Sequence, residues 1–404
     1  MIPVEEAKQR ILAALAPLPA ETVSVAQALG RVLAEDLTAR VTQPPAAVSA
    51  MDGYAVRAED VATVPVTLRQ VGAVPAGGAY AGRLQAGECV RIFTGAPLPD
   101  GADTIVIQEN VTAEGERITV RESAAKGRYV RPAGLDFRAG QVGLREGRVL
   151  TVRDIGLAAA MNRPWLRVRR KPRVAILATG DEVVMPGDPV GPNQIVSSNG
   201  LALAAFIAAW GGEPIQLGIA PDRTDALQHL AEGARGADLL VTTGGASVGE
   251  HDLVRSALGA KGLALDFWQI AMRPGKPLMF GRTGDTPMIG LPGNPVSSLV
   301  CAIIFIRPAL AQLLGVADSG KQRLTALLGC DLAQNDKRQD YLRASLASDD
   351  KGQLIATPFG KQDSSMLATL AQADCLVLRP PHAPAARAGD VVEIIPLDGS
   401  LFRL

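Results

Sequence analysis

The chain has 404 residues, room for more than one domain, and 47% of them are apolar, enough for several packed cores. Lys plus Arg and Asp plus Glu each number 41, so the formal net charge is zero, and aromatic residues make up only 4%. Neutrality removes long-range attraction to nucleic acid or an anionic membrane, and scarce aromatics remove stacking platforms for single strands, so any anion site has to be local.

In chain order, Val4 to Leu15 carries an apolar stripe at helical spacing that ends at Pro17 and Pro19. "TVSVAQALGRVLAEDLTA" reads as a strand, a helical turn and a second strand, and Gln43-Pro44-Pro45 marks a border. From 46 to 140, short apolar runs such as "PVTLRQVGAV", "ECVRIF" and "DTIVIQENV" are punctuated by Gly and Pro, the pattern of a β-rich domain. Residues 141–170 form a return segment with a helix over Val152 to Met161. Over 171–319 the runs "RVAILATG", "PIQLGIA", "ADLLVTTGG" and "PMIGLPGN" alternate with helical stretches starting near Gly200, Thr224, Asp252 and Pro295. That alternation predicts a mostly parallel, doubly wound α/β sheet, whose ligands sit beyond the carboxyl ends of the strands. Residues 320–404 return to short strands and suit a small β domain.

Four scattered cysteines with no C-x-x-C pair suit free buried thiols in a reducing compartment. Three histidines are too few for a His-rich metal site, so a metal would be held by oxygen, which favours a hard ion such as Mg²⁺. The N-terminus lacks a basic n-region and an apolar h-region. The most apolar stretch, Val296 to Ile306, is interrupted by Arg307-Pro308 and is too short to span a bilayer. A cytoplasmic protein is the expectation.

The turns after the α/β strands carry the chemistry. In "VTTGGASVGEHD", Gly244, Gly245 and Gly249 free backbone N–H groups to converge, Thr243 and Ser247 add hydroxyls, and a helix follows, all of which favours an oxyanion. The alternative is a tight turn in which Asp252 caps the helix. "ATGDEVVMPGD" puts Asp181 and Glu182 at the same edge, and Asp222 and Asp252 add two more acidic turns. Each acid alone could be a helix cap; together, beside an anion cradle, they fit Mg²⁺ bridging carboxylate and phosphate oxygens. "MRPGKPLMFG" fixes Arg273 and Lys276 about a Pro-Gly turn, and "GLPGNPVSSLV" sets Gly293-Asn294 between Pro292 and Pro295 at a helix start. By themselves "SAMDGYAV" and "RIFTGAPLP" read as turns.

Taken in order, "SAMDGYAV", "RIFTGAPLP", "TGDE", "TTGGASVGEHD", "RPGKP" and "GLPGNPVSS", with "DYLRASL" and "SSML" near the C-terminus, resemble the molybdopterin molybdenumtransferases over nearly the whole chain. The resemblance implies an elongated dimerisation segment (1–45 and 141–170), an inserted β-rich domain (46–140), the α/β molybdopterin-binding domain (171–319) and a C-terminal β barrel (320–404), in a homodimer. It implies insertion of molybdenum from molybdate into adenylylated molybdopterin, with cleavage of the phosphoanhydride and loss of AMP. It marks Asp52, Thr94, Asp136, Glu182, Asp222 and Asp252 as functional, with Glu182, Asp222 and Asp252 around Mg²⁺. Arg273, Lys276, Arg343 and Ser364 become candidate contacts for molybdate or phosphate, and Pro292 and Pro295 shape the oxyanion pocket. The molybdopterin adenylyltransferase and recipient molybdoenzymes or their chaperones are the implied partners. No side chain is an evident covalent nucleophile, which suits catalysis by positioning and charge. Gln269 departs from the pattern, since many relatives carry lysine there. An adenylyltransferase acting on ATP and a non-catalytic scaffold of the same fold are the alternatives.

Overall fold

The computed structural model describes residues 1–244, 263–317 and 324–397. They form two compact units, one of residues 36–145 and 154–165, the other of 1–35, 146–153 and 166 onward.

The first unit is built on a six-stranded sheet of β1 (Gly53–Val56), β2 (Val66–Val74), β3 (Glu88–Ile92), β4 (Thr104–Ile107), β5 (Val111–Glu114) and β6 (Arg117–Val120), in the order β4-β1-β3-β2-β6-β5. Only β2 and β3 run parallel. Alternate residues feed opposite faces: Tyr54, Val56, Cys89 and Val106 join one apolar cluster, while Ala55, Val90 and Ile105 join another. Both faces are therefore covered, which explains why this β-rich region shows short continuous apolar runs rather than strict alternation.

The larger unit contains β7 (Arg173–Thr179), β8 (Glu213–Ala220), β9 (Leu239–Thr243), β10 (Leu263–Phe267), β11 (Met272–Arg273), β12 (Met279–Thr283) and β13 (Thr286–Leu291). All but β11 form one sheet in the order β8-β7-β9-β13-β12-β10. The first four are parallel, and β12 and β10 add an antiparallel edge. Val174, Ile176, Leu239, Val241 and Ile289 face one core, and Ala175, Leu177, Leu240 and Met288 face the other. On the first face lie helices α1 (Val4–Ala13), α3 (Asn199–Ala209) and α5 (Pro295–Leu313); α4 (Thr224–Glu232) covers the second. A further α-helix, α2, spans Val152–Ala160. The doubly wound α/β reading holds.

Two local features differ from the sequence reading. Val4, Ala7 and Ile11 of α1 bury into the α/β core, so the first helix groups with the sheet rather than with residues 36–45. The second concerns Arg307-Pro308, where a break was expected; α5 runs through it for 19 residues. A proline lacks the N–H of the regular ladder and crowds the carbonyl four residues back, here Ile304. The turn over Ala302–Ile306 is widened to i→i+5 spacing, which makes that room. This helix is long and apolar enough to cross a membrane, but 67% of its most apolar window is buried within the protein.

The C-terminal strands β14 (Leu324–Leu328), β15 (Gln339–Ser348), β16 (Leu354–Pro358), β17 (Cys375–Arg379) and β18 (Val391–Pro396) close into a five-stranded barrel, with β15 pairing both β16 and β17. Its interior holds Leu328, Ala344, Ala356, Val377 and Ile394, while Tyr341, Leu376 and Ile395 face outward into the α/β core. The two-residue β11 pairs in parallel with the start of β15 and ties the barrel to the sheet. A short helix, α6 (Leu367–Ala371), precedes β17.

Candidate functional site

The parallel strands end in register. Thr179 is paired with Ala220, Ala178 with Thr243, and Thr243 with Leu291, so the turns that follow β7, β8, β9 and β13 share one sheet edge. The acidic and glycine-rich turns singled out in the sequence are these turns.

Their backbones meet closely. Gly244 has φ +90°, and a Cβ there would lie 2.5 Å from the Thr179 carbonyl oxygen. A Cβ on Gly293 would stand 3.5 Å from the Gly244 Cα, so the β9 and β13 turns pack backbone to backbone. Gly180, at φ +136°, lies under the Glu182 carboxylate; a Cβ would be 2.6 Å from Oε2. Asp181 Oδ1 accepts the Asp222 backbone N–H at 2.9 Å, joining the β7 and β8 turns and leaving Glu182 and Asp222 both exposed at the edge.

Asn199, at the start of α3, is the link the sequence reading missed. Its Nδ2 donates to Thr243 Oγ1 at 2.9 Å and to the Gly293 carbonyl at 2.8 Å, clamping two turns. The polar run "SSN" ahead of an apolar helix is its one sequence signal, and that run reads equally well as an ordinary helix start. Thr243 is 2% exposed and directs its hydroxyl to the Pro292 carbonyl at 3.4 Å. Its hydroxyl therefore braces the edge by joining Asn199 to Pro292. Pro292 is buried, Gly293 and Asn294 are exposed, and Pro295 opens α5. Asn294 Nδ2 donates to Ser364 Oγ at 2.9 Å, and Val296 N–H donates to the Ser364 carbonyl at 3.1 Å. The barrel-side loop that carries Ser364 is thereby held at the head of α5.

The expected cations are placed differently from one another. Arg273 Nε donates to Asp340 Oδ1 at 2.9 Å, and the guanidinium also pairs with Asp336 at 3.4 Å. The Asp340 hydrogen bond raises the arginine's already high pKa, so Arg273 stays charged and engaged. Arg343 is 1% exposed, with Nε on Gln362 Oε1 and Nη1 on the Met366 carbonyl. Burial lowers its pKa. Enclosed in this way, Arg343 braces the 359–366 loop that carries Ser364. Lys276 is half-buried and makes no ion pair among the described residues. Gln269 contributes its carbonyl to the Ile2 N–H.

In the other unit, Asp52 and Thr94 form a single motif. Asp52 Oδ1 accepts the Thr94 N–H at 2.7 Å and its hydroxyl at 2.8 Å. These bonds, with Arg91 nearby, hold the Asp52 carboxyl below the ordinary carboxylate range. Arg91 lies 5.0 Å from the ring centres of both Tyr54 and Phe93 and donates to the Gly53 carbonyl and Gln108 Oε1. Asp136 is exposed in the turn whose backbone bonds to Gln43. Gly245, Ser247, Gly249 and Asp252 lie outside the described residues.

Among the described residues no three His, Cys, Asp or Glu side chains gather as a metal site. The edge offers carboxylate oxygens from Glu182 and Asp222. That is the donor set of a hard cation which takes one or two carboxylates and completes its shell with phosphate and water.

Residues 175–312 match the probable molybdopterin binding domain, 2–162 the MoeA N-terminal region (domain I and II), and 325–397 the MoeA C-terminal region (domain IV). Fold and matched regions together define a multidomain protein of molybdenum cofactor biosynthesis, whose α/β sheet lies within the probable molybdopterin binding domain. A molybdopterin molybdenumtransferase of Nostoc is 37% identical over 369 residues, covering 89% of this chain and 85% of the relative. That of Haemophilus influenzae is 32% identical over 403 residues, covering 98% and 99%. A crystal structure of a molybdopterin biosynthesis MoeA protein from Pyrococcus horikoshii superposes with a TM-score of 0.86 at 32% identity, covering 99% of this chain and 100% of that one. The chain belongs to the molybdopterin molybdenumtransferase family and is a transferase.

Proposed function

We propose that this transferase inserts molybdenum from molybdate into adenylylated molybdopterin, in a Mg²⁺-dependent reaction that cleaves the phosphoanhydride and releases AMP. The observation that supports it best is the convergence of the Gly180–Glu182, Asp222, Gly244 and Pro292–Pro295 turns on one sheet edge. Such an edge presents backbone N–H groups and exposed carboxylates and no evident nucleophile, so its chemistry is positioning and charge.

In this reading the Gly244 and Gly293–Asn294 backbones cradle the phosphate, with Gly245, Ser247 and Gly249 continuing that loop, and Ser364 and Lys276 contact the oxyanion. Glu182, Asp222 and Asp252 hold Mg²⁺, which when bound neutralises charge on the phosphate oxygens. A water attacks the phosphorus on the pterin side, the P–O bond to the AMP leaving group breaks with its electron pair on AMP, and the two dithiol sulfurs replace one molybdate oxygen, which leaves as water with the thiol protons. Asp52, Thr94 and Asp136 are assigned to the same reaction on the strength of their motifs. A cytoplasmic homodimer that exchanges substrate with the adenylyltransferase, and product with recipient enzymes or their chaperones, completes the proposal. Light scattering at twice 42.1 kDa would support the dimer.

The decisive experiment incubates the purified chain with adenylylated molybdopterin, molybdate and Mg²⁺. Stoichiometric AMP and molybdenum bound to the pterin are the expected products. AMP release with no molybdenum transfer, or full activity in EDTA, would refute the corresponding half of the scheme. An ATP-dependent adenylylation of molybdopterin by this chain would refute it entirely.

A further inference from the structure

A second site lies well away from that edge. An apolar cavity of about 430 Å³ opens where the C-terminal end of α3 and the middle of α5 face α6, lined by Phe206, Trp210, Leu299, Ile303 and Leu367. Its volume falls within the roughly 300–1,000 Å³ typical of small-ligand sites. Arg307, on the wall, stands 12 residues along α5 from Pro295, or about 18 Å at the α-helical rise of 1.5 Å per residue.

Arg307 is what gives this cavity a chemistry. Its guanidinium lies 5.1 Å from the Trp210 ring centre, and no carboxylate is among the described lining residues. Other arginines of this unit that are buried or half-buried are supplied with oxygens. Arg170 has Asp238, Arg343 has Gln362 and the Met366 carbonyl, and Arg379 has the Ala333 and Pro384 carbonyls. Among the described residues Arg307 has the indole face alone, a contact that engages none of its N–H donors. Desolvation lowers the Arg307 pKa to about 10, which still leaves it fully charged at neutral pH. A charged group with unused donors at the side of an apolar chamber is complementary to a molecule that is apolar along its length and anionic at one end.

We propose that this cavity binds a small organic acid, an aliphatic or aromatic body in the apolar chamber with its carboxylate on Arg307. Nothing in the proposal depends on the reaction at the sheet edge. The probe is decanoate, titrated calorimetrically into the full chain, with decan-1-ol as the uncharged match. Saturable binding of one decanoate per chain is expected, with decan-1-ol at least tenfold weaker. Arg307→Met should cost decanoate at least tenfold in affinity while leaving decan-1-ol unchanged, and Arg307→Lys should restore most of the loss. Leu299→Trp, which fills the chamber and keeps the charge, should abolish binding of both. Absence of saturable decanoate binding, equal affinity for acid and alcohol, or an Arg307→Met variant of native melting temperature and undiminished affinity would each overturn the proposal. The acid-against-alcohol comparison on the unmodified chain decides the matter even if a variant fails to fold.

Discussion

Asn199→Ala tests whether the carboxyl edge is clamped as described. The substitution removes one amide that donates to both Thr243 Oγ1 and the Gly293 carbonyl, at 2.9 and 2.8 Å. A protein hydrogen bond contributes a net ~1 kcal/mol, so the two together stabilise the closed edge by about 2 kcal/mol. The helix start itself loses little, because no side-chain cap bond is made at the head of α3. A local loss of about 2 kcal/mol corresponds to roughly 30-fold more frequent opening. Native-state hydrogen exchange is the assay. The Val296 and Ser298 amides, bonded to the Ser364 and Asn294 carbonyls, should exchange roughly 30-fold faster. The Val241 amide, deep in the sheet, should keep its protection. Unchanged exchange at Val296 and Ser298 would refute the clamp, and equal acceleration at Val241 would show global destabilisation in its place.

Gly244→Ala should cost at least 1–2 kcal/mol (an order-of-magnitude figure for left-handed backbone) and impair the edge, because its φ is +90° and the new Cβ would press on the Thr179 carbonyl; urea unfolding of the variant measures this. Thr94→Val should raise the Asp52 pKa toward the ordinary carboxylate range by removing the hydroxyl donor, read from the Asp52 carboxyl carbon shift during an NMR titration. Since the folded-state pKa of Asp52 is depressed, its contribution to stability is present above about pH 4 and is lost as pH falls through the folded value. In Thr94→Val that contribution should therefore be smaller, and its loss complete at a higher pH. Cys89, Cys301 and Cys375 are buried and Cys330 is half-buried. Burial pushes the Cys89 thiol up to about 12 and raises that of Cys301 as well. A disulfide reagent at neutral pH should accordingly find one accessible thiol in the native chain and four in guanidinium; rapid reaction of three or more in the native state would contradict the packing.

What the amino-acid order determined by itself is whatever depends on near neighbours. Val174 to Leu177 and Leu239 to Val241 alternate between two apolar cores, and the turns that follow them carry glycine and acid residues, so the sheet and its ligand edge were legible from period and punctuation. The order of motifs likewise carried the family. Tertiary structure decided which polar groups are spent on one another. Asp340 engages Arg273 from 67 positions away, Thr94 meets Asp52 across 42, and Asn199 meets Thr243 across 44. Local sequence holds no trace of such pairings, because each hydrogen bond forms only after strands far apart in the chain have been brought into register. For the same reason Arg343 looked like an available cation and lies buried with Nη1 on the Met366 carbonyl, whereas Arg307, which looked like part of a helix stop, is a charged arginine set against the Trp210 indole.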